Sequence, residues 1–209
     1  MYDYIKTTGI VVKRTNYKDA DKILTILTPD LGKISGKAKG IRKISSSQRS
    51  HLEPGSVATI YLIKSKDHYI VTQANSIQNV KITSSNYDSA AMIYALLEIT
   101  DKLIPDNDPN EVNFELLKKT LQLFEKYPYI GLVLAYIIKL LKINGYYTYG
   151  DFKVYQLDAS IMNRIQLLET AKLEQITESD NDYWNPVAKP ILNYLREKTD
   201  ITIKSFSVN

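Results

Sequence analysis

The spacing of apolar positions changes near residue 84, and the change divides the chain into two kinds of structure. Before it, apolar residues come in short runs punctuated by turn residues. Gly9 to Arg14 is β-branched and ends in a cationic pair. Asp21 to Thr28 alternates loosely through Ile23, Leu24, Ile26 and Leu27, and Thr28-Pro29-Asp30-Leu31-Gly32 places Pro and Gly as a turn uses them. Lys33 to Lys39 also alternates, with Gly36 suited to a bulge or sharp bend. The polar, serine-rich stretch Gly40 to Ser50 reads as a loop. Two further strands, Ser56 to Ser65 and Tyr69 to Val80, flank a short turn at Lys66-Asp67-His68. Five short strands in this order match a small barrel of the OB type, with an SH3-like barrel as the rival that spacing alone does not separate.

After Ser84 the period is helical. Met92, Leu96, Ile99 and Leu103 lie on one face of a helix over Asn86 to Ile104. Asp108-Pro109 reads as the N-cap and first position of a second helix running to about Lys126. A third runs from Pro128 to about Lys142 and ends at Asn144-Gly145, a left-handed cap. Tyr146 to Asp158 is a loop with four tyrosines. A helix from Ala159 to Thr170 follows, and Asn185-Pro186 caps a last one carrying Val187, Ile191, Leu192 and Leu195. The tail from Ile201 reads as extended. The expected architecture is α+β: a five-stranded OB-type barrel over residues 1–82 that binds nucleic acid, then a helical domain over 83–209 that binds partners.

Charge sharpens this division. Residues 1–80 hold 13 Lys and Arg against 6 Asp and Glu, whereas 81–209 hold 14 against 17. Within the basic part, Lys33, Lys37, Lys39, Arg42, Lys43 and Arg49 follow one another with no carboxylate between them. Lysine and arginine neutralise phosphates and release counterions, so such a run suits a nucleic-acid backbone. Lys33, Lys37 and Lys39 are separated by even numbers and share one face of an uninterrupted strand, which a bulge at Gly36 would divide. Ser45, Ser46 and Ser47 add hydroxyl donors. The structural alternative is a solvated edge strand whose lysines deter aggregation. Tyr17, Tyr61 and Tyr69 are candidates to stack on bases, or else barrel-core residues.

Other chemistry has little support. Cysteine is absent, which excludes disulfides, thiolate zinc and cysteine nucleophiles together and fits an intracellular protein. MYDYIKTTG lacks an apolar segment, so no secretory signal is expected. The longest apolar stretch, Tyr129 to Ile143, contains Lys139 and Lys142 and is too short for a membrane span. No phosphate-binding, dinucleotide, zinc-protease or nucleophile-elbow motif occurs. His51 and His68 read as solvated loop residues. Asp19 and Asp21 sit beside Lys18 and Lys22, which favours charge pairing and turn formation over a two-carboxylate nuclease site. Neither an enzyme nor a cofactor or metal site is expected.

The run GIVVKRTNYKDADKILTILTPDLGKISGKAKGIRK strongly resembles the N-terminal signature of the RecO family of bacterial recombination mediators. Gly9–Val12, Lys13–Arg14, Asp19–Asp21, Ile23–Ser35 and Lys39–Arg42 carry the likeness. Leu141 to Tyr146 looks like the family's "LxxLGY" element, and Ile203-Lys204-Ser205 like its "LKS" ending. The resemblance implies an OB-fold domain followed by a helical one. It implies binding of single- and double-stranded DNA, annealing of complementary strands, and cooperation with RecR to load RecA on strands coated by single-stranded DNA-binding protein (SSB). It also implies a cytoplasmic, nucleoid-associated site of action. Many members carry a four-cysteine zinc module after the "GY" element; here Tyr146 to Asp158 stands in its place and zinc is not expected. The proposed DNA contacts are Lys13, Arg14, Lys33, Lys37, Lys39, Arg42, Lys43 and Arg49. A groove among the helices of residues 86–142 is expected to take the acidic SSB C-terminal tail, through Lys118, Lys119, Lys139 or Lys142. The alternatives are an RNA-binding, ribosome-associated OB protein and a module whose basic face meets an acidic protein.

Overall fold

A computed structural model describes residues 4–42, 49–66, 68–79, 87–177 and 180–205. Five strands form a closed barrel in the order β1-β2-β3-β5-β4: β1 (Tyr4–Tyr17), β2 (Asp21–Thr28), β3 (Gly32–Ala38), β4 (Val57–Lys64) and β5 (Tyr69–Gln78). All neighbours are antiparallel except β3 and β5, which run parallel through Gly36–Tyr69 and Ala38–Val71. This is the OB-type arrangement, which the strand spacing alone does not separate from an SH3-like barrel.

Closure depends on β1 serving two partners. Its first half, Tyr4 to Ile10, pairs with β4, and its second half, from Ile10 to Tyr17, pairs with β2. The register with β2 slips between Val11 and Lys13, where one extra residue, Val12, bends the strand. Gly9 lies where β1 crosses the core: a Cβ there would come within 2.6 Å of Ile26 and 2.9 Å of Ile60. Inside are Val11, Leu24, Ile26, Ile34, Ala38, Leu52, Ile60 and Leu62, all nearly solvent-free.

The expected bulge at Gly36 is not formed. β2 and β3 keep an unbroken register from Lys22–Ala38 to Thr28–Gly32. Gly36 serves packing instead, because a Cβ would meet Val71 at 3.1 Å and Ile26 at 3.3 Å. The strand also ends at Ala38, so Lys39 belongs to the following turn.

The chain groups into two interleaved compact units. One joins Met1–Lys81 to Thr100–Lys118; the other joins Ile82–Ile99 to Lys119–Asn209. The barrel therefore carries with it the last turn of α1 (Tyr87–Leu103), the connection that follows, and the start of α2 (Glu111–Lys126). The cap of α2 is Asn110, whose Oδ1 accepts from Asn113 N at 3.1 Å, rather than the expected Asp108.

In the second unit, α3 (Ile130–Ile143) is apolar on nearly every side and buried accordingly. It packs with α4 (Ala159–Thr170), α5 (Leu173–Ile176) and α6 (Asn181–Thr199). Its end is a Schellman cap: Tyr146 N donates to Leu141 O and Gly145 N to Lys142 O, with Gly145 at φ +78°. α6 starts earlier than Asn185-Pro186 suggests. Asp180 caps it by accepting from Tyr183 N at 3.1 Å, and Pro186 and Pro190 lie inside the helix. No helix among the described residues is long and apolar enough to cross a membrane.

Candidate nucleic-acid interface

The slip at Val12 decides which cations of β1 and β2 share a face. Directly paired residues project to the same side of a sheet. Before the slip, Val11 opposes Ile26, both in the core. After it, Arg14 opposes Leu24 and Asn16 opposes Lys22, while Lys13 opposes Thr25 on the outer face. Leu24 is fully buried, so Arg14, Asn16 and Lys22 continue the interior face past the end of the apolar core. The barrel mouth is consequently lined with cations rather than leucines.

A cavity of about 380 Å³ opens there, lined by Arg14, Asn16, Lys22, Ile41, Arg42 and Arg49. Two of its guanidiniums are fixed by the fold. Arg14 Nη1 donates to Leu52 O at 3.1 Å and lies 2.7 Å from Glu53, and its side chain is only 12% exposed. Arg42 donates to Lys18 O at 3.3 Å, and its own N–H to Ala20 O at 3.0 Å. Burial lowers the Lys22 pKa, and the nearby charges of Arg14, Arg42 and Arg49 push it the same way against Glu53. Among the described residues, four cations line this concave site, and Glu53 pairs with one of them, Arg14.

The remaining expected contacts are dispersed. Lys33 points outward from β3 but is covered by the connection after α1. Its ammonium donates to the Asp101 carbonyl, lies 3.2 Å from Asp106, and leaves its side chain 8% exposed. Lys33 is therefore a structural residue in this fold. Lys13 pairs with the same Asp101 at 2.9 Å, on the exposed outer wall. Lys37 is held by Asp21 at 3.2 Å, with both side chains largely covered. Asp21 also accepts from Gly40 N at 2.8 Å, and that backbone donor, helped by Lys37, lowers its pKa. The even spacing of the three lysines does not make one face, because Lys33 is covered, Lys37 is paired and Lys39 stands exposed in a turn. Lys43, with Ser45, Ser46 and Ser47, lies outside the described residues.

Lys22 is the functional candidate that sequence reasoning missed. Beside Asp21 it reads as half of a local charge pair, yet Asp21 pairs with Lys37 instead. Its signal was alternation: Lys22, Leu24 and Ile26 share one face of β2.

Aromatic platforms are less open than expected. Tyr69 packs against the core. Lys37 sits 4.7 Å and Lys18 5.5 Å from the Tyr17 ring centroid, and Lys6 5.9 Å from that of Tyr61. His51 is not a solvated loop residue. It is half-buried, with Nδ1 2.8 Å from Ser76 Oγ and accepting from Ser76 N at 3.3 Å, which ties the turn at Ser50–Leu52 to β5. His68 is exposed.

The four lysines expected to read an acidic tail all have partners. Lys118 pairs with Glu115 at 2.9 Å and Lys119 with Glu174 at 2.5 Å. Lys142 pairs with Glu169 at 2.6 Å. Lys139 donates to the carbonyls of Glu169 and Ala171, both at 2.8 Å, so it caps the end of α4; burial lowers its pKa.

Where the zinc module would stand, Tyr149–Tyr155 forms a 3-10 segment rather than an open loop. Phe152 stacks on Tyr194 at 4.6 Å between centroids, and Tyr147 and Tyr155 close the cluster. The Tyr194 hydroxyl donates to Asp151 at 2.6 Å, which holds the Asp151 pKa down to about 2 with help from Lys198. Among the described residues, no group of three or more His, Asp or Glu side chains is placed to hold a metal ion.

Two family models match the chain: Recombination protein O N terminal over residues 1–80 and Recombination protein O C terminal over 84–154. Among curated proteins, a DNA repair protein RecO of Dehalococcoides mccartyi is 34% identical over 142 residues, covering 68% of this chain and 56% of that protein. The DNA repair protein RecO of Acetivibrio thermocellus is 31% identical over 150 residues, covering 69% and 58%. That of Caldicellulosiruptor bescii is 34% identical over 122 residues, covering 58% and 50%. The chain spans about half the length of the curated relatives it matches.

Proposed function

The chain belongs to the RecO family, and on that premise we propose that it is a DNA repair and recombination mediator that binds strands and catalyses no bond chemistry. The observation that carries this reading is the cationic mouth, where Arg14, Lys22, Arg42 and Arg49 converge on an OB-type barrel. Guanidiniums already oriented by backbone acceptors lose little freedom on meeting phosphate. Bringing two backbones to such a surface lowers their mutual repulsion and lets complementary bases pair. In this reading the barrel binds single- and double-stranded DNA and anneals complementary strands. With RecR, and with the C-terminal tail of SSB engaged by the helical part, it helps load RecA in the cytoplasm.

The test is annealing of complementary oligonucleotides, bare and coated with SSB. Annealing faster than the spontaneous rate, lost in an Arg14→Gln/Arg42→Gln/Arg49→Gln variant, is the expected result. A rate equal to that without protein rejects the mediator reading. Preferential binding of single-stranded RNA over DNA in direct competition replaces it with the RNA-binding one.

A further inference from the structure

Resting on the strand-binding reading above, we infer that the barrel mouth is a receptor for the terminal phosphate of a nucleic-acid strand, with its end nucleotide. The charge count points to it. A backbone diester carries one negative charge, whereas a terminal monoester carries between one and a half and two at neutral pH. The four lining cations, of which Arg14 is paired with Glu53, are best matched by the group that returns the most negative charge to the smallest volume.

Pairing and shape agree. Outside the mouth, Lys13 and Lys33 are paired with Asp101 and Lys37 with Asp21. The mouth is concave, and at about 380 Å³ it has the size of a site for a small ligand rather than for a lone ion. Ile41 closes its wall from the core side, and Asn16 offers both a donor and an acceptor to a sugar or base. Arg14 and Arg42 present planar donors already anchored to Leu52 O and Lys18 O, and Arg presents such donors in pairs to phosphate oxygens. Lys22 lies on the same inner face, opposite Asn16. A dianion among these groups would relieve the mutual repulsion that the cations impose on Lys22.

The experiment measures binding of the full chain to one short oligonucleotide carrying a 5′ phosphate, a 3′ phosphate or hydroxyls at both ends, by fluorescence anisotropy at fixed salt. A phosphorylated end is expected to bind about five- to tenfold tighter than the hydroxyl-ended strand. The 5′ and 3′ arms identify which end is taken. In Lys22→Gln the ratio is expected to fall to one whatever happens to absolute affinity, and Lys22→Arg, which keeps the charge, is expected to retain it. Equal affinity for all three ends overturns the inference and leaves the strand-binding reading standing. No binding in any form overturns both.

Discussion

The wall and the mouth of the barrel are both rich in lysine and arginine, yet they use charge in opposite ways. On the wall, Lys13 and Lys33 meet Asp101 from the last turn of α1, and Lys33 also meets Asp106 from the segment after it, so their charge is spent inside the fold. At the mouth, Arg14 pairs with Glu53, and among the described residues no ion pair is seen for Lys22, Arg42 or Arg49, whose charge the proposed function gives to a ligand. A cation's place in the sequence does not decide between these fates; the carboxylates that tertiary structure brings to it do. The cations most able to bind an anion are those with the fewest carboxylates near, not those that are densest along the chain.

The strongest challenge to this contrast is at Gly32, which holds the wall's cover in place. It adopts φ +72°, and a Cβ would fall 2.5 Å from the Asp108 backbone. Gly32→Ala is expected to cost about 3 kcal/mol through strain and displacement of that segment. Chemical denaturation measures the loss, and DNA affinity of the folded fraction should be unchanged. A loss below about 0.5 kcal/mol would mean that the cover is not tightly seated. Next in size is Lys33→Met. It removes the donor to the Asp101 carbonyl, in the last turn of α1, where a cation also meets the negative end of the helix dipole. About 2 kcal/mol of stability should go, with little change in DNA binding. Reduced affinity at unchanged stability would return Lys33 to the interface.

At the mouth the balance inverts. Arg14→Gln with Arg42→Gln should weaken DNA binding about tenfold at moderate salt, or about 1.4 kcal/mol, for any sequence. The slope of log affinity against log salt should flatten by about one to two. Stability should move less than affinity does. The reverse pattern would place these arginines in the fold rather than in the site.

Asp21 stands between the two regions, as a mouth-side carboxylate committed to structure. Its folded pKa lies below the ordinary 3.8, chiefly because Gly40 N donates to it. Its contribution is present above that ordinary value and is lost as pH falls through the depressed one. Asp21→Asn should therefore flatten the stability curve below about pH 4 while DNA binding at neutral pH keeps its salt slope. An unchanged acid limb would sever the link between Asp21 and the turn at Gly40.

Much of the fold was legible because its signals are local. β2 and α4 begin and end where their apolar runs and flanking turn residues place them. The Asn144-Gly145 cap needed only two residues to be read. The candidate site was legible in Arg14, Arg42 and Arg49 but not in Lys22, nor in which of the other cations stand apart from it. Alternation predicts a face only while the strand keeps its register, and one extra residue at Val12 moved Arg14, not Lys13, to the inner side. Lys33 looked free because its partners, Asp101 and Asp106, come from about seventy positions away, beyond any window of local pattern. Lys22 was hidden by the opposite error, a neighbour in sequence that pairs elsewhere.

The smallest expected effect tests the contrast most finely, because Lys13 has features of both regions. It is paired to Asp101 at 2.9 Å, yet its side chain is 58% exposed, so salt screens the pair and water competes for it. Lys13→Gln should cost no more than about 0.5 kcal/mol, and less at high salt. What separates the readings is DNA binding. If the wall's charge is spent, affinity and salt slope should match those of the parent, since Asp101 already neutralises the ammonium. A slope lower by about one, with stability unchanged, would mean that phosphate outcompetes Asp101 for Lys13. The wall would then begin at Lys33, whose ammonium is covered as well as partnered by the Asp101 carbonyl and Asp106.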